Sequence, residues 1–268
     1  MSTLSQPAVN TSTRQLESSL LKRSVDLRLY SPSGWMGHET LHLLLVNDGQ
    51  DLAQMQIEHV LQSLYENWQI EPVLVVGIDA SAERLQDYGV ANRPDFKKRG
   101  ANAHIYADFI IRELIPFLQA ESGAALNGKR AFAGFSLGGL SAFDIVWNHP
   151  EHFDHAGVFS GSFWWRKKDL KAGYTDKDRI LHQMIRDTKK ISPLKFWLMT
   201  GTEDELSDRN QNFIIDSIDD TIDVIKELQK KGYKRPQDIF YYEKVGGKHD
   251  VATWAAAMPA FLIWAFGK

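Results

Sequence analysis

Cysteine is absent from all 268 residues, which removes disulfides, thiolate metal sites and a cysteine nucleophile and leaves the redox compartment open. Long apolar runs are missing too: no stretch of 18 uninterrupted apolar residues reads as a membrane span. The opening MSTLSQPAVNTSTRQLESSLL is polar and rich in Ser and Thr, without the apolar heart of a signal peptide, so a cytoplasmic location is expected. Nor is there a charge excess of one sign. The formal net charge is −3, and the basic clusters KKRG (97–100) and QKKGYKR (229–235) are short. Neither nucleic acid nor an anionic membrane is therefore expected as a partner. No repeat, low-complexity tract or linker divides the chain. One domain over 1–268 is expected, with residues 1–20 as a loose N-terminal extension.

What is present is a core-forming composition, 43% hydrophobic and 24% charged, arranged in alternating periods. Strand readings fall at 24–30 (SVDLRLY), 41–46 (LHLLLV), 72–78 (PVLVVGI), 130–135, 156–160, 195–200 and 239–243. Between them lie segments with helical spacing at 55–68, 104–118, 137–147, 212–231 and 251–266. In the 212–231 segment Phe213, Ile214, Ile218, Ile222, Ile225 and Leu228 are expected on one apolar stripe, with Asp216, Asp219 and Asp220 on the polar face. Strands alternating with helices imply an α/β fold, a mostly parallel central sheet with helices on both faces.

Inside that pattern stands GFSLGGL (134–140), a G-x-S-x-G motif between a strand reading and a helix reading. A serine on so sharp a turn projects its hydroxyl above the sheet, and small neighbours keep the turn free of clashes. Such a nucleophile, Ser136, needs a base and an acid, in the chain order Ser, then Asp or Glu, then His. Of the histidines downstream, His149, His152 and His155 sit at the stop of the following helix and read as surface residues. His182 falls in a charged stretch and reads as solvated. His249 instead follows a strand reading and a GGK loop, at the carboxyl edge where open α/β sheets place their sites. Glu203, Asp204 and Glu205 all follow the strand KFWLMT, and the residues alone do not separate them. For the oxyanion hole, the backbone N–H of Leu137 follows the nucleophile. The turn NDGQD (47–51) offers the N–H of Gln50 as a second donor. No metal or other cofactor is required.

With these pieces in order, the chain resembles the putative-esterase family of α/β-hydrolases, which includes enterochelin esterases, feruloyl esterases and the antigen 85 mycolyltransferases. The resemblance runs from about residue 24 to the C-terminus, through LLLVNDGQD (43–51), VVGIDA to DYG (75–89), RGANAHIYADFIIRELIPFL (99–118), GFSLGGLSAF, SGSFWW (160–165), GTEDEL and GGKHDVATW (246–254). It implies a single α/β-hydrolase domain and a Ser-Asp-His triad acting through an acyl-enzyme. The family's G-T-x-D motif falls on Asp204, with Glu203 as the alternative acid because some members use a glutamate there. The oxyanion donor after Asp-Gly falls on Gln50.

The substrate expectation is a small-molecule carboxylic ester, with a siderophore trilactone foremost. An acyltransferase, or a feruloyl or acetyl esterase on carbohydrate esters, is the alternative, and a non-enzymatic binding module a more distant one. Trp164 and Trp165, which follow SGSF, are candidates to wall a substrate pocket, the other reading being packing beneath a loop. Arg93, with Arg99 in the same irregular stretch, is a candidate to attract an anionic substrate. The apolar final helix fits burial in the core, with a homodimer as the second reading.

Overall fold

The computed structural model describes residues 9–33, 40–122, 126–189 and 191–268. Eight strands form one sheet: β1 (Val9–Ser18), β2 (Arg23–Pro32), β3 (His42–Asn47), β4 (Val73–Ile78), β5 (Arg130–Phe135), β6 (His155–Phe159), β7 (Lys195–Glu203) and β8 (Ile239–Lys248). Their spatial order is β1-β2-β4-β3-β5-β6-β7-β8. The pairs from β4 through β8 are parallel, whereas β1 and β2 form an antiparallel edge. β3 and β4 are buried at every position, as strands covered on both faces must be, and apart from His42 and Asn47 at the ends of β3 they carry no polar side chain.

On one face lie α1 (Ile57–Glu66) and α8 (Val251–Phe266), whose Leu61, Leu64, Trp254, Phe261 and Phe266 pack on Val46, Val75 and Phe159 of the sheet. The short helix α2 (Arg84–Asp87) follows β4. The other face carries α3 (Ala103–Phe109), α4 (Ile115–Glu121), α5 (Leu137–Asn148), α6 (Ile180–Asp187) and α7 (Asp216–Lys230), joined in a second apolar cluster. α3 runs into α4 through a π turn at Ile110–Leu114, where the Ile115 N–H reaches back five residues to the Ile110 carbonyl. Pro116 stands next, and its missing N–H would have broken a regular ladder there. Among the described residues no helix is long and apolar enough to cross a membrane.

Several boundaries differ from the sequence reading. The expected loose extension over residues 1–20 is instead, at Val9–Ser18, an edge strand paired along its whole length with β2; residues 1–8 lie outside the described residues. Its polar side chains are mostly exposed, so no apolar alternation announces it. β8 continues through the glycines to Lys248, so the GGK loop is strand. α6 was not expected at all. α7 begins at Asp216 rather than at 212. Phe213 and Ile214 therefore lie outside its apolar stripe, with Phe213 99% exposed.

Candidate active site

The nucleophile position is built from backbone. β5 ends at Phe135 and α5 begins at Leu137, leaving Ser136 alone in the bend at φ 54°, ψ −119°. That region is sparsely populated for an L residue and costs about 1–3 kcal/mol, so surrounding contacts must hold it. The Ser136 N–H donates to the Phe159 carbonyl at 2.9 Å, while its own carbonyl accepts from Gly139, Leu140 and Ser162 at 3.1–3.2 Å. Close approach explains the glycines. A Cβ on Gly134 would stand 2.4 Å from the Gly138 carbonyl oxygen, and one on Gly138 would stand 2.6 Å from the Asp48 carboxylate. The Ser136 hydroxyl has one hydrogen-bond partner among the described residues, Ser162 Oγ at 3.3 Å.

Three adjacent carboxylates are separated by their surroundings. Glu203 ends β7 and is exposed. Glu205 turns toward α7, where burial and the nearby Asp216 raise its pKa. Asp204 is only 8% exposed and accepts from Ser160 Oγ at 3.0 Å and the Gly201 N–H at 3.1 Å. Burial raises its pKa, and those two donors and the charge of His249 oppose the rise. His249 follows the last residue of β8, with its ring edge-on to Trp254 at 5.2 Å. Burial is the larger influence and lowers its pKa; Asp204 acts in the opposite sense and Arg84 in the same one. Ser136, Asp204 and His249 thus stand at the carboxyl ends of β5, β7 and β8. His249 makes no hydrogen bond to Ser136 or Asp204 among the described residues, and Asp204 acts on it through charge.

The turn after β3 closes the other side. Asn47 is fully buried, donates to the Gly138 carbonyl at 2.8 Å and accepts from Tyr106 OH at 2.6 Å, which ties the turn to the start of α5. Asp48, left-handed at φ 61°, is held by a two-pronged pair with Arg84 at 2.6 and 2.8 Å. The Gln50 side chain accepts from Ala80 N–H at 3.0 Å, which directs it away from the bend. The hydrogen bonds of this turn begin at Asp51 N–H and Leu52 N–H, one residue past the Gln50 N–H. Leu137 occupies the first position of α5, where no carbonyl within the helix can accept its N–H.

Sequence reasoning missed Ser160, Ser162 and Arg84. Ser160 is 2% exposed and left-handed at φ 49°, and it relays a chain of bonds: Trp254 Nε1 donates to its hydroxyl at 3.0 Å, and the hydroxyl donates to Asp204. The only signal was the SGS that precedes FWW.

Other expectations need correction. Trp165 is fully buried; its Nε1 donates to the Arg93 carbonyl at 3.1 Å and its ring packs on the backbone at Gly89 and Gly100, so it is a structural residue and not a pocket wall. Trp164 is half-buried beneath the Arg99 guanidinium, 4.9 Å from its ring centre. Arg93 lines a surface hollow with His104, Asn148 and His149, at the far end of α5 and about 16 Å along that helix from the bend. Arg99 is paired with Asp95. His155 is buried at the start of β6, and burial takes its pKa down to about 4. His182 is fully buried in α6 against the Asp220 carbonyl, with a pKa lowered to about 3 chiefly by burial. Asp220 is likewise buried, between Arg179 and Arg209. Among the described residues no group of acidic residues and histidines could hold a metal ion.

An eight-stranded sheet of this order, with a strained serine after β5 and histidine after β8, defines the class of α/β-hydrolase serine esterases. The chain belongs to the family described as "Putative esterase", whose model matches residues 18–265. It is 25% identical over 228 residues to a protein of Bacillus subtilis (strain 168) described as "Uncharacterized protein YbbA", covering 83% of this chain and 84% of that one. Among solved structures it is similar to the enterobactin esterase FES of Shigella flexneri in the presence of enterobactin. The TM-score is 0.75 at 22% identity, over 97% of this chain and 59% of that one. The chain therefore spans about three fifths of that enzyme's length. It is also similar to the BES protein of Bacillus cereus, with a TM-score of 0.70 at 18% identity over 96% and 95% of the two chains.

Proposed function

We propose that the protein hydrolyses carboxylic esters through a Ser136-Asp204-His249 triad and an acyl-enzyme, with a siderophore trilactone of the enterobactin kind as substrate and a cytoplasmic location. The observation that carries the catalytic part is the strained Ser136 between β5 and α5, in one sheet edge with a buried Asp204 and a neighbouring His249. The enterobactin esterase likeness is one of fold, and it directs the choice of substrate to test.

In the proposed reaction His249 Nε2 takes the Ser136 proton while Oγ bonds to the ester carbonyl carbon. The C–O bond to the alcohol then breaks, and the same proton passes from His249 to the departing oxygen. Water repeats the attack, giving its proton to His249, and Oγ leaves carrying that proton as the acid is released. Asp204 orients the imidazole and stabilises its charged form, and the Leu137 and Gln50 N–H groups receive the oxyanion. The hydrogen bond from Ser136 to His249 forms on substrate binding, since such bonds are often long or unmade in empty sites.

Three measurements test this. A fluorophosphonate should label Ser136 in the folded protein, and Ser136→Ala should abolish hydrolysis. An enterobactin-type trilactone should outperform p-nitrophenyl and feruloyl esters in kcat/KM. Undiminished turnover by Ser136→Ala would overturn the mechanism, and indifference to the trilactone would overturn the substrate.

A further inference from the structure

The loop that leaves Ser162 carries the site outward. Ser162 touches Ser136 through both its hydroxyl and its N–H, and the Trp165 N–H folds back on the Ser162 carbonyl at 3.2 Å. Arg166 follows, four residues from Ser162 and so within about 14 Å of it along the chain. Its guanidinium is surrounded by aromatic rings: Phe96 at 5.2 Å, Tyr174 at 5.6 Å and Trp164 at 6.0 Å. The backbone is held as well, because the Arg166 carbonyl accepts from the Phe96 N–H at 3.0 Å.

The other guanidiniums of this region are neutralised. Arg99 is paired with Asp95, Arg179 with Asp220 and Asp223, and Arg209 with Asp216 and Asp220. Asp176 lies against Arg179 and Arg209, and Asp178 against Lys168. Arg166 alone of these four guanidiniums has no carboxylate within ion-pair distance among the described residues. Its Nε is buried without an acceptor, and its Nη1 makes only a long contact of 3.4 Å to the Trp164 carbonyl. A half-buried guanidinium whose Nε is dry and which faces no acid is left with unmet donors unless something else supplies the anion. With aromatic rings about it and no acid paired to it, a two-pronged bond to a carboxylate would satisfy its planar fork of donors.

We infer that Arg166 recognises a carboxylate on the substrate, so that the site prefers esters bearing an anionic group remote from the scissile bond. The inference rests on the ester-hydrolase reading above and names a specificity residue for it.

The test uses mono-p-nitrophenyl esters of glutaric, adipic, suberic and sebacic acids, each beside its methyl-capped neutral counterpart. At low ionic strength at least one anionic ester should exceed its neutral partner in kcat/KM by about tenfold or more. Arg166→Met should reduce that ratio by about tenfold, chiefly through KM for the anionic ester, and Arg166→Lys should give an intermediate ratio. Lys97→Met, which changes a nearby cation also set over Phe96, should leave the ratio intact. Ratios at or below one for every length, or a ratio indifferent to Arg166→Met, would overturn the inference while leaving the hydrolase reading standing. Should Arg166→Met not fold, Arg166→Gln takes its place under the same criterion. Failure to hydrolyse any of these esters, anionic or neutral, or undiminished hydrolysis by Ser136→Ala, would sink both.

Discussion

At the scale of single residues the carboxylate trio gives the sharpest contrast. Glu203 and Asp204 are adjacent, yet one is exposed and the other sits under Ser160 and the Gly201 N–H. Asp204→Asn should lower kcat about 10³–10⁴-fold, the loss expected when an imidazole is held in the wrong tautomer, whereas Glu203→Gln should stay within about threefold. Steady-state kinetics on one activated ester decide it, and equal losses would remove Asp204 from the triad. The base gives a second prediction. His249 must be neutral to accept the serine proton, and burial lowers its pKa below the usual 6.5. The active fraction therefore grows as pH rises through that lowered value, and the acid limb of kcat/KM should have its midpoint below pH 6.5. A midpoint above 6.5 would mean that Asp204 outweighs burial.

At the scale of elements, the bend between β5 and α5 works because three chain segments approach without side chains between them. Gly138→Ala puts a methyl 2.6 Å from the Asp48 carboxylate and 3.0 Å from Asn47 Cβ, so Asp48 and the turn that carries it must give way. Since that turn carries the Gln50 N–H, kcat should fall about 10²-fold or more while the protein stays folded, as circular dichroism would report. Unchanged kcat would argue against Gln50 as an oxyanion donor. Much of this was legible beforehand. GFSLGGL reads as a strand, a sharp turn and a helix, and β5, Ser136 and α5 occupy those places, because so tight a bend needs small neighbours and such needs leave marks in a chain. What could not be read depends on partners distant in sequence. β1 is polar because it is an edge, so only its pairing with β2 reveals it. α6 is short and charged, but its His182, Leu181 and Ile185 are buried against other elements. Asp220 looked like part of a solvated face because Arg179, 41 residues away, was invisible from its own helix. For Trp165 the sequence leaves a pocket wall and packing beneath a loop undivided, because nothing local shows the Gly89 and Gly100 backbone that receives its ring.

For the whole molecule, buried titratable groups set the response to acid. His155 and His182 have folded pKa values of about 4 and about 3, below the ordinary 6.5, so the folded protein binds fewer protons than the unfolded chain between those limits. Their contribution is complete above pH 6.5 and is lost as pH falls toward about 4 for His155 and about 3 for His182. Asp144 acts in the reverse sense. Burial raises it from 3.8 to about 7, so its contribution is complete below 3.8 and is lost as pH rises through 7. A bare acid-denaturation curve would mix the two, and a difference curve separates them. His155→Phe keeps a ring to set against Trp264, 5.1 Å away in the native pair, and removes the titration. Between pH 6.5 and 4 the stability of the unsubstituted protein should therefore decline relative to His155→Phe, with a limiting slope of about 1.4 kcal/mol per pH unit. Urea melts of the two proteins at half-unit pH intervals measure that difference directly. A difference independent of pH would mean that His155 is as easily protonated in the fold as out of it, and that acid sensitivity arises elsewhere in the molecule.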